Sequence, residues 1–227
     1  MKKSDIILTA LAIGSAILHI RAEYYGPAIQ IYIFKPLTMV FILIIALTRA
    51  KENLSFYSYA IIAGLVCSIS GDVFLMLPSD RFVAGLVGFL IAHLFYIAAF
   101  TYGRPLRFTL WPPALFGLYG VVIYSILYPH LGDMKIPVLV YVLVIMVMGW
   151  RAWDKWNQAR MKPALLAFLG AMLFIVSDSV LALNKFRGHF EIARALTLTT
   201  YFSAQWLIAL SVSVTRARDR KDSSLQG

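Results

Sequence analysis

The chain has 227 residues, 60% of them hydrophobic and 14% charged. A soluble domain carries about a quarter charged residues, so this composition excludes a soluble globular class and points to an integral membrane protein. The formal charge of +10 sits in loops and at the ends of the sequence. That distribution suits anionic lipid headgroups and excludes a nucleic-acid surface, because no basic-aromatic patch belongs to a soluble module.

The first residues, Met1-Lys2-Lys3-Ser4-Asp5 followed by an apolar run, resemble a signal peptide, and Ala10-Leu11-Ala12 mimics a cleavage site. Only Ile6–Thr9 precede that site, too few for an apolar core, and the run continues to Ile20, so it reads as a first transmembrane helix. His19 and Glu23 at its outer end either line the mouth of a site or, the favoured reading, sit in interfacial solvent. Seven further apolar runs follow at roughly 31–48, 57–77, 82–100, 111–127, 137–150, 163–183 and 195–214. Each approaches the ~20 residues that a helix needs to cross a bilayer. The sixth is short and extends into Arg151–Trp156. Pro36 and Pro163 stand near helix starts, where a missing N–H is harmless. Trp111, Trp150, Trp153 and Trp156 fall near span ends and read as interface anchors. The predicted fold is all-α: a polytopic membrane bundle of eight transmembrane helices, forming one domain over 1–214 with a charged cytoplasmic tail at 215–227.

Counting loops alternately, two-thirds of the 21 Lys and Arg fall on the side that holds both termini. The positive-inside rule makes that side cytoplasmic, in a cell's inner membrane. Asp72 lies five residues before Leu77 and Asp178 five before Leu183, so both sit about 7–8 Å below the outer face. An acidic group at the bilayer centre costs about 2.5–3.5 kcal/mol on insertion scales and rarely persists without a task. Lys35 enters from the same face, His93 and Gln205 lie near the midplane, and Tyr201 stands above Gln205. Polar groups in the outer half of several helices predict a cavity opening outward. The cytoplasmic halves look almost free of ionisable residues. Asp72, Leu75 and Leu77 also match Asp178, Leu181 and Leu183 at an offset of 106 residues. That offset is four helices, which predicts two parallel four-helix repeats.

Several chemistries lack support. There is no His-x-x-x-His, no Cys pair and no Gly-x-Ser-x-Gly, so neither a zinc hydrolase nor a serine lipase is expected, and no metal or cofactor is assigned. His130 and His189 read as loop residues, and Cys67 as packing.

The pieces Lys35-Pro36-Leu37, Ser70-Gly71-Asp72-Val73-Phe74-Leu75, Gly88-Phe89, Ala92-His93-Leu94-Phe95-Tyr96, Ser177-Asp178 through Lys185-Phe186, and Tyr201-Phe202-Ser203-Ala204-Gln205-Trp206-Leu207-Ile208 occur in this order. Together they resemble the YhhN family of membrane proteins, whose characterised vertebrate members are lysoplasmalogenases. The resemblance implies hydrolysis of the vinyl ether bond of a lysophospholipid substrate to a fatty aldehyde and a glycerophospho-base. It also implies that Asp72 and Asp178 correspond to the family's two essential acidic residues.

The residue chemistry suits that reaction. Cleavage begins with slow protonation of the vinyl β-carbon, which gives an oxocarbenium-like cation that water traps, so a positioned acid helps. A carboxyl group in a low-dielectric site holds its proton more tightly than in water. A second carboxylate, kept ionised by Lys35 or Lys185, would stabilise the cation, a division of work that glycosidases also use. Which aspartate is the acid stays open at this level. His93 with Tyr96, and Tyr201 with Gln205, are one helical turn apart and face a cavity as substrate ligands or act as interhelical glue. Lys35 and Lys185 either pair a lipid phosphate or snorkel to headgroups. The alternative reading is a small transporter or lipid-binding protein that uses the aspartates for proton or cation coupling; a non-catalytic scaffold is the third.

Overall fold

A computed structural model describes residues 2–52, 54–77, 81–103 and 111–212. It contains eight long helices among those residues, and no strand. They are α1 (Lys3–Tyr25), α2 (Ala28–Ala50), α3 (Phe56–Met76), α4 (Phe82–Thr101), α5 (Trp111–Leu127), α6 (Lys135–Ala159), α7 (Lys162–Ala182) and α8 (Ala193–Leu210). The expected tail at 215–227 lies outside the described residues.

Sequence features set the boundaries. Ser55 caps α3, its hydroxyl accepting the Ser58 N–H at 3.2 Å. Pro163 occupies the first turn of α7, whereas Pro36, expected near a helix start, lies inside α2 because that helix begins at Ala28, ahead of its apolar run. Arg160 ends α6 in the left-handed conformation, at φ 50°. The sixth helix is longer than its apolar run, as expected, because its last turns carry an internally paired polar face. At the other end of α7 the chain runs into one wide π turn, Leu183–Arg187, before Gly188 breaks it.

Seven of the eight helices are long and apolar enough to cross a membrane. The exception, α8, carries Arg194, Thr197, Thr199, Thr200 and Gln205, which lower its hydropathy, yet it packs along α7 inside the same bundle. Apolar side chains such as Ile13, Ile17, Leu118 and Val121 face outward, while Ser15, His19, Thr38, Asp72, His93 and Gln205 are buried. That arrangement is the reverse of a soluble protein and fits a bundle solvated by lipid. His19 corrects one expectation. It is buried edge-on against Phe202, at 5.9 Å between ring centroids, rather than solvated at the interface.

Helix pairing follows a repeating scheme. α1 packs on α2, α2 on α3 and α3 on α4; α5 packs on α6, α6 on α7 and α7 on α8; the halves meet through α4 on α6 and α8 on α2. Adding four to each helix number maps these pairings onto themselves, the pattern expected of two parallel repeats. The structure also makes sense of further matches at the same offset: Gly64 with Gly170, and Ile69 with Ile175. Both glycines sit at helix crossings. A Cβ on Gly64 would fall 2.3 Å from the Tyr96 ring, and one on Gly170 would fall 2.9 Å from the Ala204 carbonyl oxygen.

The end of the bundle away from Asp72 and Asp178 is not free of buried charge, contrary to expectation. Arg49 donates to Asp5 Oδ2 at 2.8 Å and to the Val212 carbonyl at 2.7 Å. Arg151 donates to Asp154 Oδ2 at 2.8 Å and to the Thr101 hydroxyl at 3.0 Å. Sequence depth misled here because each charge is neutralised by a partner from another turn or another helix, which makes burial tolerable.

Candidate active site

Asp72 and Asp178 sit on α3 and α7, the equivalent helices of the two halves. The α3–α4 crossing is tight because Gly71, Gly85 and Gly88 meet there; a Cβ on Gly88 would lie 2.9 Å from the Gly71 backbone. This approach seats Asp72 deep in the bundle, at 1% exposure. Lys35 Nζ stands 2.9 Å from its Oδ1, and the Tyr201 hydroxyl donates to its Oδ2 at 2.6 Å.

Asp178 has a different escort. The Tyr141 hydroxyl donates to its Oδ2 at 2.5 Å, and His93 Nε2 lies 3.4 Å from the same oxygen. His93 Nε2 is also 2.9 Å from the Tyr141 oxygen. A tyrosine has one proton to give, and here it goes to Asp178 Oδ2. His93 must therefore be the donor to Tyr141, with its proton on Nε2. Nδ1 is left as a buried atom without a partner.

Phe174 joins the two centres. Its ring packs edge-on against His93 at 4.7 Å and against Tyr201 at 5.5 Å, and Phe89 closes on Tyr201 at 5.7 Å. The positions of the aspartates' partners also correspond: Lys35 beside Asp72 and Tyr141 beside Asp178 are themselves 106 residues apart.

Two cavities adjoin the pair. A wide vestibule of about 650 Å³ is lined by Lys35, Arg81, Asn184, Lys185, His189, Arg194 and Glu23, among others. A narrow apolar slot of about 50 Å³ runs between α4, α5, α6 and α7, with Asp178 in its wall. Leu75, Phe82 and Leu181 line both. Arg194 Nη1 stands 3.7 Å from the Glu23 carboxylate, and Lys185 lies over the Phe82 ring at 5.0 Å.

Of the residues singled out in the sequence, the structure gathers Lys35 and Tyr201 around Asp72, His93 around Asp178, and Lys185 into the vestibule. Tyr96 and Gln205 go elsewhere: the Tyr96 hydroxyl donates to Gln205 Oε1 at 2.7 Å, and both are fully buried. They tie α4 to α8. Tyr141 was not among the candidates, because its helix reads as an unbroken apolar run. The signal that would have found it is the 106-residue offset from Lys35. Arg81 and Arg194 enter the sequence reading only through loop charge, and the fold brings them to one vestibule with Glu23, whose less favoured reading was a place at the mouth. Among the described residues no three His, Cys, Asp or Glu side chains gather as a metal ion would require.

The YhhN family model matches residues 30–212, a span that includes Lys35, Asp72, His93, Tyr141, Asp178 and Tyr201. The chain belongs to the YhhN family. "Uncharacterized membrane protein YhhN" of Escherichia coli O6:H1 is 32% identical over 199 residues, covering 87% of this chain and 94% of its own length. "Lysoplasmalogenase TMEM86A" of Bos taurus is 41% identical over 168 residues, 69% of this chain and 66% of the relative. Human "Lysoplasmalogenase TMEM86B" is 36% identical over 162 residues, 68% of this chain and 64% of the relative. No solved structure matches.

Proposed function

We propose that this YhhN protein is a membrane-embedded lysoplasmalogenase, with Asp178 as proton donor and Asp72 as the carboxylate that stabilises the cation. The observation that carries this reading is Asp178 itself, an acid set in the wall of an apolar slot with Tyr141 and His93 both gathered on Oδ2. Oδ1 then delivers the proton to the vinyl β-carbon. The π electrons form the new C–H bond, and the ether oxygen shares the positive charge left on the α-carbon. Asp72, fixed by Tyr201 and Lys35, favours that cation through space at low dielectric. Water adds to the α-carbon and gives its proton back to Asp178. The hemiacetal that results collapses to an aldehyde and the glycerol hydroxyl, with its proton passed through Tyr141 and His93. The carboxyl group ends as it began, so no co-reactant beyond water is consumed. Names of relatives at 36–41% identity support the same substrate class.

A transporter would need a route to the far end of the bundle. The ionisable residues buried there, Asp5 with Arg49 and Arg151 with Asp154, are bonded to one another, which speaks for a dead-end site. The test is incubation of purified protein with matched lysoplasmenyl and lysoacyl lipids. Free aldehyde from the plasmenyl lipid, lowered about 10²–10⁴-fold in a folded Asp178→Asn variant, is the expected outcome. Fatty acid without aldehyde would mean a lysophospholipase, and neither product would favour transport.

A further inference from the structure

The chemistry above does not say where the lipid's hydrocarbon chain lies, and the structure offers two apolar recesses that the repeat relates to each other. One lies between α1, α2 and α8, has about 300 Å³, and is lined by Ile13, Ile17, Phe202 and Trp206. The other is the narrow slot beside Asp178. Ile13 and Ile17 of the first stand 106 residues before Tyr119 and Ile123 of the second. Volume alone favours the first recess, but three observations favour the second. It alone of the two carries an aspartate of the pair. It shares Leu75, Phe82 and Leu181 with the vestibule, so one elongated molecule can occupy both. The vestibule in turn gathers Lys35, which pairs with Asp72, Arg194, which stands near Glu23, and the further basic side chains Arg81 and Lys185 in its wall, a lining that suits the phosphate of a lysophospholipid.

The repeat explains why the slot can admit a chain. α1 packs against both α2 and α8, whereas its counterpart α5 packs along α6 and touches the π turn but makes no comparable contact along α4. The outer wall of the slot is therefore one peripheral helix, tied to α7 by the Tyr119 hydroxyl donating to Ser179 at 3.0 Å. At about 50 Å³ the closed slot holds no long chain, and α5 is the wall with the fewest ties to keep it in place.

We infer that the slot between α4, α5, α6 and α7 is the subsite for the single hydrocarbon chain, opened by movement of α5, with the phosphate in the basic vestibule. This rests on the lysophospholipid reading above, and it places the scissile bond at the junction, beside Asp178.

The test uses an uncleavable 1-O-alkyl lysophosphoethanolamine with a diazirine at the chain end, photolysed with the full-length protein in lipid nanodiscs. Adducts mapped by mass spectrometry are expected at Leu86, Ile123, Val138 or Met146, and an excess of unlabelled lysolipid should displace them. Adducts at Ile13, Ile17 or Trp206, or no displaceable adduct, would overturn the assignment. Because the probe cannot be hydrolysed, the result stands apart from whether vinyl ethers are cleaved. The matched variants Ile123→Trp and Ile17→Trp give a second readout. The first should cut slot labelling at least tenfold and the second should leave it unchanged; equal effects would count against the slot.

Discussion

The Tyr141 hydroxyl serves two partners, donating to Asp178 and accepting from His93. Replacing it with phenylalanine keeps the ring and removes both hydrogen bonds, of which the one to the Asp178 carboxyl group is worth about 1.5–3 kcal/mol. Tyr141→Phe should therefore lower kcat on a lysoplasmenyl lipid by one to two orders of magnitude with KM little changed, measured by aldehyde release. An equal rise in KM with kcat intact would mean that Tyr141 only shapes the substrate pocket. Lys35 and Asp72 make a buried ion pair, and here the sign depends on which partner is left behind. Removing the lysine alone strands a buried carboxylate, at a cost of about 3–5 kcal/mol, whereas removing both charges is far milder. Lys35→Met should thus unfold in detergent at a lower temperature than the double variant Lys35→Met/Asp72→Asn.

Among the helices, α3 and α4 are held closest by residues that have no side chain. Gly88 lies so near the Gly71 backbone that a methyl group at 88 would sit 2.9 Å from it, and backbone cannot rotate away as a side chain can. Gly88→Ala should cost about 1–3 kcal/mol by overpacking and should impair turnover beyond the stability loss, because Asp72 follows Gly71 directly. Gly14→Ala, where a Cβ meets nothing within 4 Å, is the control and should be neutral or slightly stabilising. A thermal melt of both variants, paired with aldehyde release, checks the contrast. The helix count, the span boundaries to within a few residues and the extension of α6 were legible from apolar run lengths. The role of α8 was less so, since its threonines and Gln205 lower its hydropathy while the bundle still takes it in.

For the whole molecule, the repeat scheme places the vestibule residues at one end of the bundle and the paired charges Asp5–Arg49 and Arg151–Asp154 at the other. If the charge count of the loops sets orientation, His189 lies outside and Lys51 in the cytoplasm. Single cysteines at these positions, in a Cys67→Ala background, should react with a membrane-impermeant maleimide from opposite faces of sealed cells or vesicles. Labelling of both from one face would refute the eight-span topology.

Run lengths and the aspartates inside two apolar runs determined from sequence alone that this is a helical membrane protein and which acidic residues to look at, because bilayer insertion punishes each buried charge one helix at a time. The partners of that pair were decided only by tertiary structure. A hydroxyl such as that of Tyr141 costs little in an apolar helix and leaves no mark in a hydropathy profile, and Arg81, Lys185 and Arg194 come from separate loops and helix ends. Their meeting in one vestibule depends on which helices pack together, a property of the whole bundle rather than of any one segment.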